Sequence, residues 1–230
     1  MATLDDFPIT RKWPPQDESV IQLYSFPTPN GVKAAIALEE LGLPYEPHLV
    51  KLSDDNVKSP EFLSLNPNNK IPAMIDPDGP DGEPVGLWES HTILTYLAGK
   101  TGRLGGTGAG RWEVQKWLSW QVAGLGPMFG QLGYFVKFAD EKIPAAQKRY
   151  IAEARRLLGV IDGQLQGRDW IAGEFSIADI AIAPWLNALG FYEAKDDVSW
   201  QEFTNATAYV DRFYQRPAAR KGSRIPDPDG

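Results

Sequence analysis

The sequence contains no cysteine, and this absence removes several kinds of chemistry at once. Disulfide bridges, thiolate metal sites and a redox pair of protein thiols are all excluded. Histidine is nearly absent too, because His48 and His91 are the only two among 230 residues. A histidine-rich metal site and a serine–histidine–aspartate relay are therefore also disfavoured.

Positive charge and long apolar segments are scarce as well. The formal net charge is -7, whereas nucleic-acid binding and attachment to anionic membranes both need clustered lysine and arginine. No apolar run reaches the length of about 18 residues that marks a membrane-spanning helix, and the N-terminus lacks the apolar core of a signal peptide. We expect a soluble, cytoplasmic protein whose partners are small molecules, with neither nucleic acid nor membrane among them.

The pattern of the chain divides it into five segments. Residues 20–102 predict a βαβ unit, a helical connection, a ββ hairpin and a closing helix, which is the order of glutaredoxin-type thioredoxin folds. Residues 103–110 are glycine-rich and predict a linker. Residues 111–223 have helical periodicity throughout and predict an all-α domain. Residues 1–19 predict an irregular N-terminal arm, and residues 224–230 predict a frayed tail.

Two helix boundaries carry particular signals. A helix is predicted over residues 31–42, with Gly42 at its C-cap. In the second domain, Ser176 followed three residues later by Asp179 resembles a capping box, with aspartate in the usual place of glutamate or glutamine. We interpret Asp179 as a residue that stabilises its helix and not as a catalyst.

The junction "SFPTPNG" lies between the first predicted strand and the first predicted helix. Thr28 can serve as the N-cap, with Pro29 at the first helical position, where the missing N–H costs nothing. The same geometry also suits an anion, because backbone N–H groups and the positive end of the helix dipole point out of such a junction. Capping alone and anion binding both remain open at this point.

If the junction binds an anion, a thiolate is the chemically interesting one. Redox members of this fold carry Cys-X-X-Cys here, whereas this chain offers the Thr28 hydroxyl and the Asn30 amide as donors. A free cysteine thiol has a pKa near 8.5, and donors at a helix terminus favour its charged form. The site is therefore suited to bind sulfur and lower the pKa of a thiol that a ligand supplies.

Two further segments could complete a binding site. Pro72 opens a predicted strand, and a cis Ile71–Pro72 bond would turn the backbone of Ile71 outward for pairing with a peptide, although a trans proline at an edge strand is the simpler alternative. Glu89 and Ser90 follow a strand at the mouth of a helix. They suit the ammonium and the carboxylate of an amino-acid head group, or a plain helix cap.

The motifs together resemble the glutathione transferase family over nearly all of residues 20–218. The segments "PTPNG", "NPNNKIP" and "GLGPMFGQ" are similar to the nu class and to the globular domain of the yeast nitrogen-regulator prion protein. The resemblance implies a thioredoxin-like N-terminal domain, an all-helical C-terminal domain and a homodimer. It also implies glutathione as the ligand, with two molecules or one oxidised glutathione per subunit, and no metal.

The same resemblance implies roles for individual residues. Thr28 and Asn30 would hold the glutathione sulfurs, and Ile71 before a cis Pro72 would pair with the cysteinyl backbone. A protein without thiols can run thiol–disulfide exchange only if both reacting sulfurs belong to ligands. Catalysis would therefore rest on Thr28 and Asn30.

The remaining implied contacts hold the two ends of the tripeptide. Glu89 and Ser90 would bind the γ-glutamyl end, and Lys70 and Arg149 match positive positions expected near glycyl carboxylates. Asn56 stands where a glutamine often contacts glutathione in the family. The chain departs from the usual Glu-Ser-Gly-Ala motif after the γ-glutamyl site, where it has Glu-Ser-His-Thr.

The activity implied is reduction of small disulfides by glutathione, with transfer of glutathione to electrophiles as a further activity. The alternative is a non-catalytic module that senses glutathione or docks a regulator, as the yeast relative suggests. The asparagine-rich tract of that relative is missing from this sequence, which favours the enzyme.

Overall fold

The computed structural model of the chain describes residues 3–228. The chain up to Thr101 forms one compact unit together with the segment from Pro217 onward, and Gly102–Arg216 forms the other. The first unit is a small α/β layer structure and the second is helical, so the predicted combination of a thioredoxin-like domain with an all-helical domain is confirmed. Residues 1–2 of the predicted arm and 229–230 of the predicted tail lie outside the described residues.

A four-stranded sheet forms the centre of the first unit. Its strands are β1 (Ile21–Ser25), β2 (Tyr45–Leu49), β3 (Ala73–Asp76) and β4 (Val85–Trp88). The strand order is β2-β1-β3-β4, with β1 and β2 parallel and β3 antiparallel to both of its neighbours. A parallel pair needs a crossover connection, which a helix supplies, whereas β3 and β4 form the predicted hairpin.

Ten α-helices accompany the sheet within residues 3–228. They are α1 (Gly31–Leu41), α2 (Asp54–Val57), α3 (Pro60–Leu65), α4 (Ser90–Thr101), α5 (Gly108–Trp120), α6 (Gly126–Gly133), α7 (Pro144–Gln164), α8 (Ile177–Phe191), α9 (Thr204–Gln215) and α10 (Pro217–Gly222). Helices α1 to α4 and α10 belong to the first unit, and α5 to α9 belong to the second.

Helix α1 is the crossover helix, and it ends as predicted. Gly42 adopts φ 69° at the C-cap, a left-handed conformation that glycine accepts without steric cost. The helix is buried along most of its length because it packs against β1, α4 and α10. Gly222 of α10 comes so close to Ile36 that a Cβ at residue 222 would lie 2.6 Å from the Ile36 backbone.

The N-terminal arm contributes to the core of the first unit. Two short 3₁₀ turns, Leu4–Asp6 and Pro8–Arg11, bury Leu4 and Ile9 in a cluster that includes Phe62 of α3. The arm therefore covers apolar surface that the sheet and α3 would otherwise expose to water.

The helical unit contains two π-helical turns. A π-helical turn occupies Gln121–Leu125, directly before Gly126 and Pro127 at the start of α6. A second π-helical turn covers Tyr134–Phe138. Helix α5 begins at Gly108, three residues before the predicted start at Arg111.

The capping box predicted at the start of α8 is present. The Ser176 hydroxyl accepts a hydrogen bond from the backbone N–H of Ala178 at 3.3 Å, and the Asp179 carboxylate accepts one from the N–H of Ser176 at 2.9 Å. Asp179 is fully buried and also accepts from the N–H of Ile171 at 2.9 Å and from the Tyr209 hydroxyl at 3.1 Å. This carboxylate ties three segments of the helical unit together.

Between residues 3 and 228, no helix is both long enough and apolar enough to cross a membrane. The same part of the chain brings no three histidine, aspartate or glutamate side chains into an arrangement that could hold a metal ion.

Candidate functional site

The sheet register brings three predicted site segments to one end of the first unit. Tyr24 near the end of β1 pairs with Ala73 at the start of β3, and Ala73 pairs with Trp88 at the end of β4. Residues that follow β1, precede β3 and follow β4 must therefore leave the sheet at the same edge. Those residues are Thr28 to Asn30, Ile71 with Pro72, and Glu89 with Ser90.

The junction between β1 and α1 is built around Thr28. The Thr28 hydroxyl accepts a hydrogen bond from the backbone N–H of Gly31 at 3.1 Å, and its carbonyl accepts from the N–H of Val32 at 3.1 Å. The regular helix starts at Gly31 directly after Asn30, whose side chain makes no capping hydrogen bond, whereas Thr28 makes the side-chain hydrogen bond expected of a capping residue. Asn30 already has a helical backbone (φ -84°, ψ -40°), so the chain turns toward the helix before Gly31.

The Thr28 hydroxyl can serve a ligand as well as the helix. Its oxygen already accepts the Gly31 N–H, and a hydroxyl also carries one proton of its own to donate. Thr28 is half-buried. A ligand anion in front of the junction would meet a donor whose oxygen is held in place by the helix.

The Asn30 side chain contacts a lysine from the first turn of α1. The ammonium of Lys33 donates to Asn30 Oδ1 at 2.8 Å and to Ser90 Oγ at 3.4 Å. Asn30 and Ser90, from the predicted sulfur and γ-glutamyl sites, therefore share one cation. Lys33 is only 1% exposed.

Sequence reasoning missed Lys33. The sequence does contain a signal. In "GVKAAIAL" the lysine is the one charged residue among small and apolar residues, and a helix that is apolar on all faces is expected to be buried. Burial lowers the pKa of Lys33 to about 7, against the opposing effect of Glu89. The lysine is thus a buried group whose charge changes near neutral pH.

The residue that precedes α4 has an unusual backbone. Glu89 adopts φ 68°, a left-handed conformation that is uncommon outside glycine, and its side chain is exposed. Its carbonyl accepts the N–H of Ile93 at 3.0 Å, so Glu89 lies at the helix mouth. Strained conformations of this kind cluster at functional sites. Ser90, the first residue of α4, is buried.

The segment before β3 has the expected isomer. The Ile71–Pro72 peptide bond is cis. Ile71 is 9% exposed and Lys70 is exposed, while the Asn66 side-chain amide donates to the carbonyl of Lys70 and holds the segment.

Two predicted contacts lie outside the convergence described above. Asn56 is in the short helix α2, where its amide donates to Ser53 Oγ at 2.9 Å. Arg149 is an exposed residue of α7 in the helical unit, in a cleft of about 740 Å³ that Lys148 and Arg156 also line. Among these three cations, Arg156 is paired with Glu153 at 2.8 Å.

The tyrosine and histidine of the first unit's core are structural. Tyr24 is buried and stacks on His48 with ring centroids 4.7 Å apart, and His48 Nε2 lies 2.7 Å from Gln22 Oε1. Burial, with a smaller effect of Glu46, raises the pKa of Tyr24 far above its ordinary value. Tyr24 therefore acts in packing and is unsuited to activate a thiol.

His91 lies one residue beyond Ser90 and is partly buried. Burial and the Lys33 ammonium lower its pKa, and Glu89 opposes them. His91 is thus neutral at neutral pH, and the Glu-Ser-His-Thr departure adds bulk beside Ser90 without adding charge.

Two family models match this chain, one in its N-terminal part and one in its C-terminal part. Residues 19–99 match the model of the glutathione S-transferase N-terminal domain, and residues 125–217 match the model of the C-terminal domain. Among curated proteins, the chain is similar to the disulfide-bond oxidoreductase YfcG of Escherichia coli, with 48% identity over 74% of this chain and 80% of that protein.

Solved structures give the same result over the whole chain. A glutathione transferase from Burkholderia graminis, with two glutathione molecules bound per subunit, superposes with a TM-score of 0.97 at 53% identity, over 99% of this chain and 97% of the other. A glutathione transferase from Pseudomonas putida, with one glutathione disulfide bound per subunit, superposes with a TM-score of 0.96 at 49% identity, over 98% and 100% of the two chains.

Proposed function

Since the chain belongs to the glutathione S-transferase family, we propose that it is a glutathione-dependent disulfide reductase that also transfers glutathione to electrophiles. The supporting observation is that Thr28, Asn30 and Ser90 lie at the same edge of the sheet, where the buried Lys33 ammonium contacts both Asn30 and Ser90. The chain has no cysteine, so both sulfurs of the exchange come from bound molecules.

Thr28 and Asn30 are the proposed catalytic residues. A hydroxyl and an amide that donate to sulfur favour the thiolate over the thiol, and a thiolate is the nucleophile in thiol–disulfide exchange. One pKa unit corresponds to about 1.4 kcal/mol of selective stabilisation, which hydrogen bonds to a charged group can supply.

The proposed reaction proceeds by two exchanges. The thiolate of one glutathione attacks a sulfur of the substrate disulfide, which forms a mixed disulfide and releases one substrate thiolate, and a proton from solvent completes it. The thiolate of a second glutathione then attacks the glutathione sulfur of that mixed disulfide. Glutathione disulfide forms and the second substrate thiol leaves, so two glutathiones are oxidised for each disulfide reduced.

Other predicted residues are assigned to the tripeptide backbone and its ends. Glu89 binds the γ-glutamyl ammonium, and Ser90 binds the carboxylate beside it. Ile71 pairs with the cysteinyl backbone after the cis bond to Pro72. The exposed carboxylate of Glu89 and the buried hydroxyl of Ser90 have the chemistry that these roles require.

Basic residues are proposed to bind the glycyl carboxylates. Lys70 is exposed beside the cis bond and serves the glutathione at the sheet edge. Arg149 serves a carboxylate at the α7 cleft, where Lys148 and Arg156 add positive charge. Asn56 contributes one polar contact.

The proposal also covers the class, the oligomeric state and the cellular compartment of the protein. We place the protein in the nu class on the motifs "PTPNG" and "NPNNKIP", and we propose a homodimer. The proposed compartment is the cytoplasm, where glutathione keeps thiols reduced.

Titration of tryptophan fluorescence with reduced and with oxidised glutathione, followed by an assay on 2-hydroxyethyl disulfide, tests the function. The expected result is binding of both forms and turnover that requires glutathione. Binding without turnover would instead support the non-catalytic sensor, and no binding at millimolar glutathione would reject both functions.

A further inference from the structure

Lys33 is a buried cation for which the assignments above leave no role. It lies in the first turn of α1 with 1% of its surface exposed. Removing an ammonium from water is costly, and a helix of this kind could fill the same space with an apolar side chain at no such cost. The position of the ammonium must therefore be explained by what it contacts.

The first contact fixes the direction of the Asn30 amide. The Lys33 ammonium lies 2.8 Å from Asn30 Oδ1, and an ammonium has only donors, so the amide must present its oxygen to the lysine. The amide nitrogen, with two N–H groups, is then turned away from Lys33. A reversed amide would set its own N–H groups against the ammonium, and it would present an acceptor where a thiolate needs a donor.

The second contact acts in the same way on Ser90. The ammonium donates to Ser90 Oγ at 3.4 Å, so this hydroxyl accepts from the lysine and turns its own proton to another acceptor. A hydroxyl oriented in that way suits a carboxylate.

Charged and titratable groups on the elements near α1 define the electrostatic surroundings of Lys33. From the α4 side the facing groups are Glu89, which opposes the lowering of the Lys33 pKa, and His91, whose pKa the Lys33 ammonium helps to lower. Tyr24 is the titratable residue of β1, and burial raises its pKa, which favours the neutral phenol. Helix α10 brings Lys221, which pairs at 2.9 Å with Glu39 further along α1.

We propose that Lys33 is a positioning residue that sets the donor direction of Asn30 and Ser90 together and places positive charge behind the ligand sulfur. This inference rests on the proposed function, because it concerns how the bound glutathione is ionised and held. It explains why a buried helix carries a lysine between two site residues from different elements.

Replacing Lys33 with methionine separates this role from a structural one. Methionine has a similar length and no donors, and apolar replacement of a buried charge is often neutral or stabilising. The expected K33M protein unfolds at no lower temperature than the wild type. The control is K116M, which removes one positive charge at an exposed helical site paired with Glu113.

The decisive readout is the ionisation of bound glutathione. Ultraviolet absorbance of the thiolate is followed against pH with saturating glutathione, and the signal with S-methylglutathione is subtracted. At a pH below the thiol pKa of either protein, K33M should hold about tenfold less thiolate than the wild type, which corresponds to one pKa unit, whereas K116M should match the wild type. Equal thiolate fractions in K33M and wild type would overturn the proposal.

The Ser90 contact has its own readout. S-methylglutathione cannot form a thiolate, so its affinity reports the contacts of the tripeptide other than the thiolate, those at the γ-glutamyl end included. K33M should bind it several-fold more weakly, and this difference should vanish when both proteins also carry S90A. An unchanged affinity in K33M would overturn the role assigned to Ser90.

A measurement on the wild type keeps the test valid if K33M fails to fold. Because coupling between two sites is reciprocal, a lysine that favours the thiolate must itself hold its proton more tightly when the thiolate is bound. NMR titration of the Lys33 side chain should show its pKa rise further with glutathione than with S-methylglutathione, which lacks the thiolate. The same titration curve with both ligands would overturn the proposal.

These outcomes differ from failure of the proposed function. If the wild type neither binds nor ionises glutathione, the function itself is wrong. If the wild type does both and K33M does the same, only the role of Lys33 is wrong.

Discussion

The Thr28 hydroxyl accepts the backbone N–H of Gly31 at 3.1 Å, so one side chain both caps α1 and faces the proposed sulfur site. This double use means that a single substitution should affect stability and activity by separable amounts. The sulfur site and the helix start can therefore be tested with the same set of variants.

Substitution of Thr28 with alanine should lower disulfide reductase activity by about tenfold or more, because one donor to the thiolate is lost. It should also cost about 1 kcal/mol of stability through loss of the capping bond. Turnover of 2-hydroxyethyl disulfide and urea unfolding measure the two effects. T28S keeps the hydroxyl and should restore both, and wild-type rates in T28A would remove Thr28 from the mechanism.

Substitution of Glu89 with alanine should raise the dissociation constant for glutathione by about tenfold or more, since a charged hydrogen bond to the ligand ammonium is lost. Fluorescence titration measures the affinity. E89Q retains size and an acceptor oxygen and should lose less. Because alanine and glutamine meet the same left-handed backbone at residue 89, a difference between the variants reports the side chain. Unchanged affinity in E89A would reject this contact.

The buried lysine predicts a pH dependence of stability with a definite sign. Its pKa of about 7 in the folded protein lies below the ordinary value of 10.5, so the unfolded chain binds more protons between these limits. The wild type should therefore gain stability relative to K33M as pH rises from 7, by about 1.4 kcal/mol per pH unit. Urea unfolding of both proteins from pH 6 to 9 measures this slope, and parallel curves would contradict it.

Asp179 offers a stability test far from any ligand. Its carboxylate accepts from the N–H groups of Ile171 and Ser176 with different oxygens, and asparagine has only one oxygen to offer. D179N should therefore lose about 2 kcal/mol or more, since one buried N–H goes unpaired. Thermal unfolding measures the loss. S176A, which removes one capping acceptor, should cost about 1 kcal/mol, and a D179N protein as stable as the wild type would refute the account.

Local sequence signals were sufficient for the parts of the fold that depend on neighbouring residues. Gly42 marked the end of α1, and Ser176 with Asp179 marked the start of α8, because caps are set within a few residues of chain. The order of strands and helices followed from periodicity in the same way.

Long-range packing explains what the sequence did not reveal. Leu4 and Ile9 join a core that includes Phe62, which is more than 50 residues away in sequence. The residues next to Leu4 and Ile9 in the sequence give no indication of this packing partner. The contact of Lys33 with Ser90 likewise joins residues 57 positions apart. The candidate site could be predicted as a set of ligand contacts, whereas the group that holds those contacts from behind required the three-dimensional arrangement.

The return of α10 to α1 has a practical consequence for dissecting the molecule. A fragment that ended at Thr101 would lack α10 and its contact between Gly222 and Ile36. The apolar surface of α1 that this exposes would favour aggregation. A workable α/β fragment would have to splice the stretch from Pro217 onward directly after Thr101 through a short flexible bridge. For the same reason, a protease nick in the glycine-rich stretch near Gly105 would give two peptides that stay associated through the packing of α10 on α1, because α10 remains bonded to the helical unit through Arg216 and Pro217.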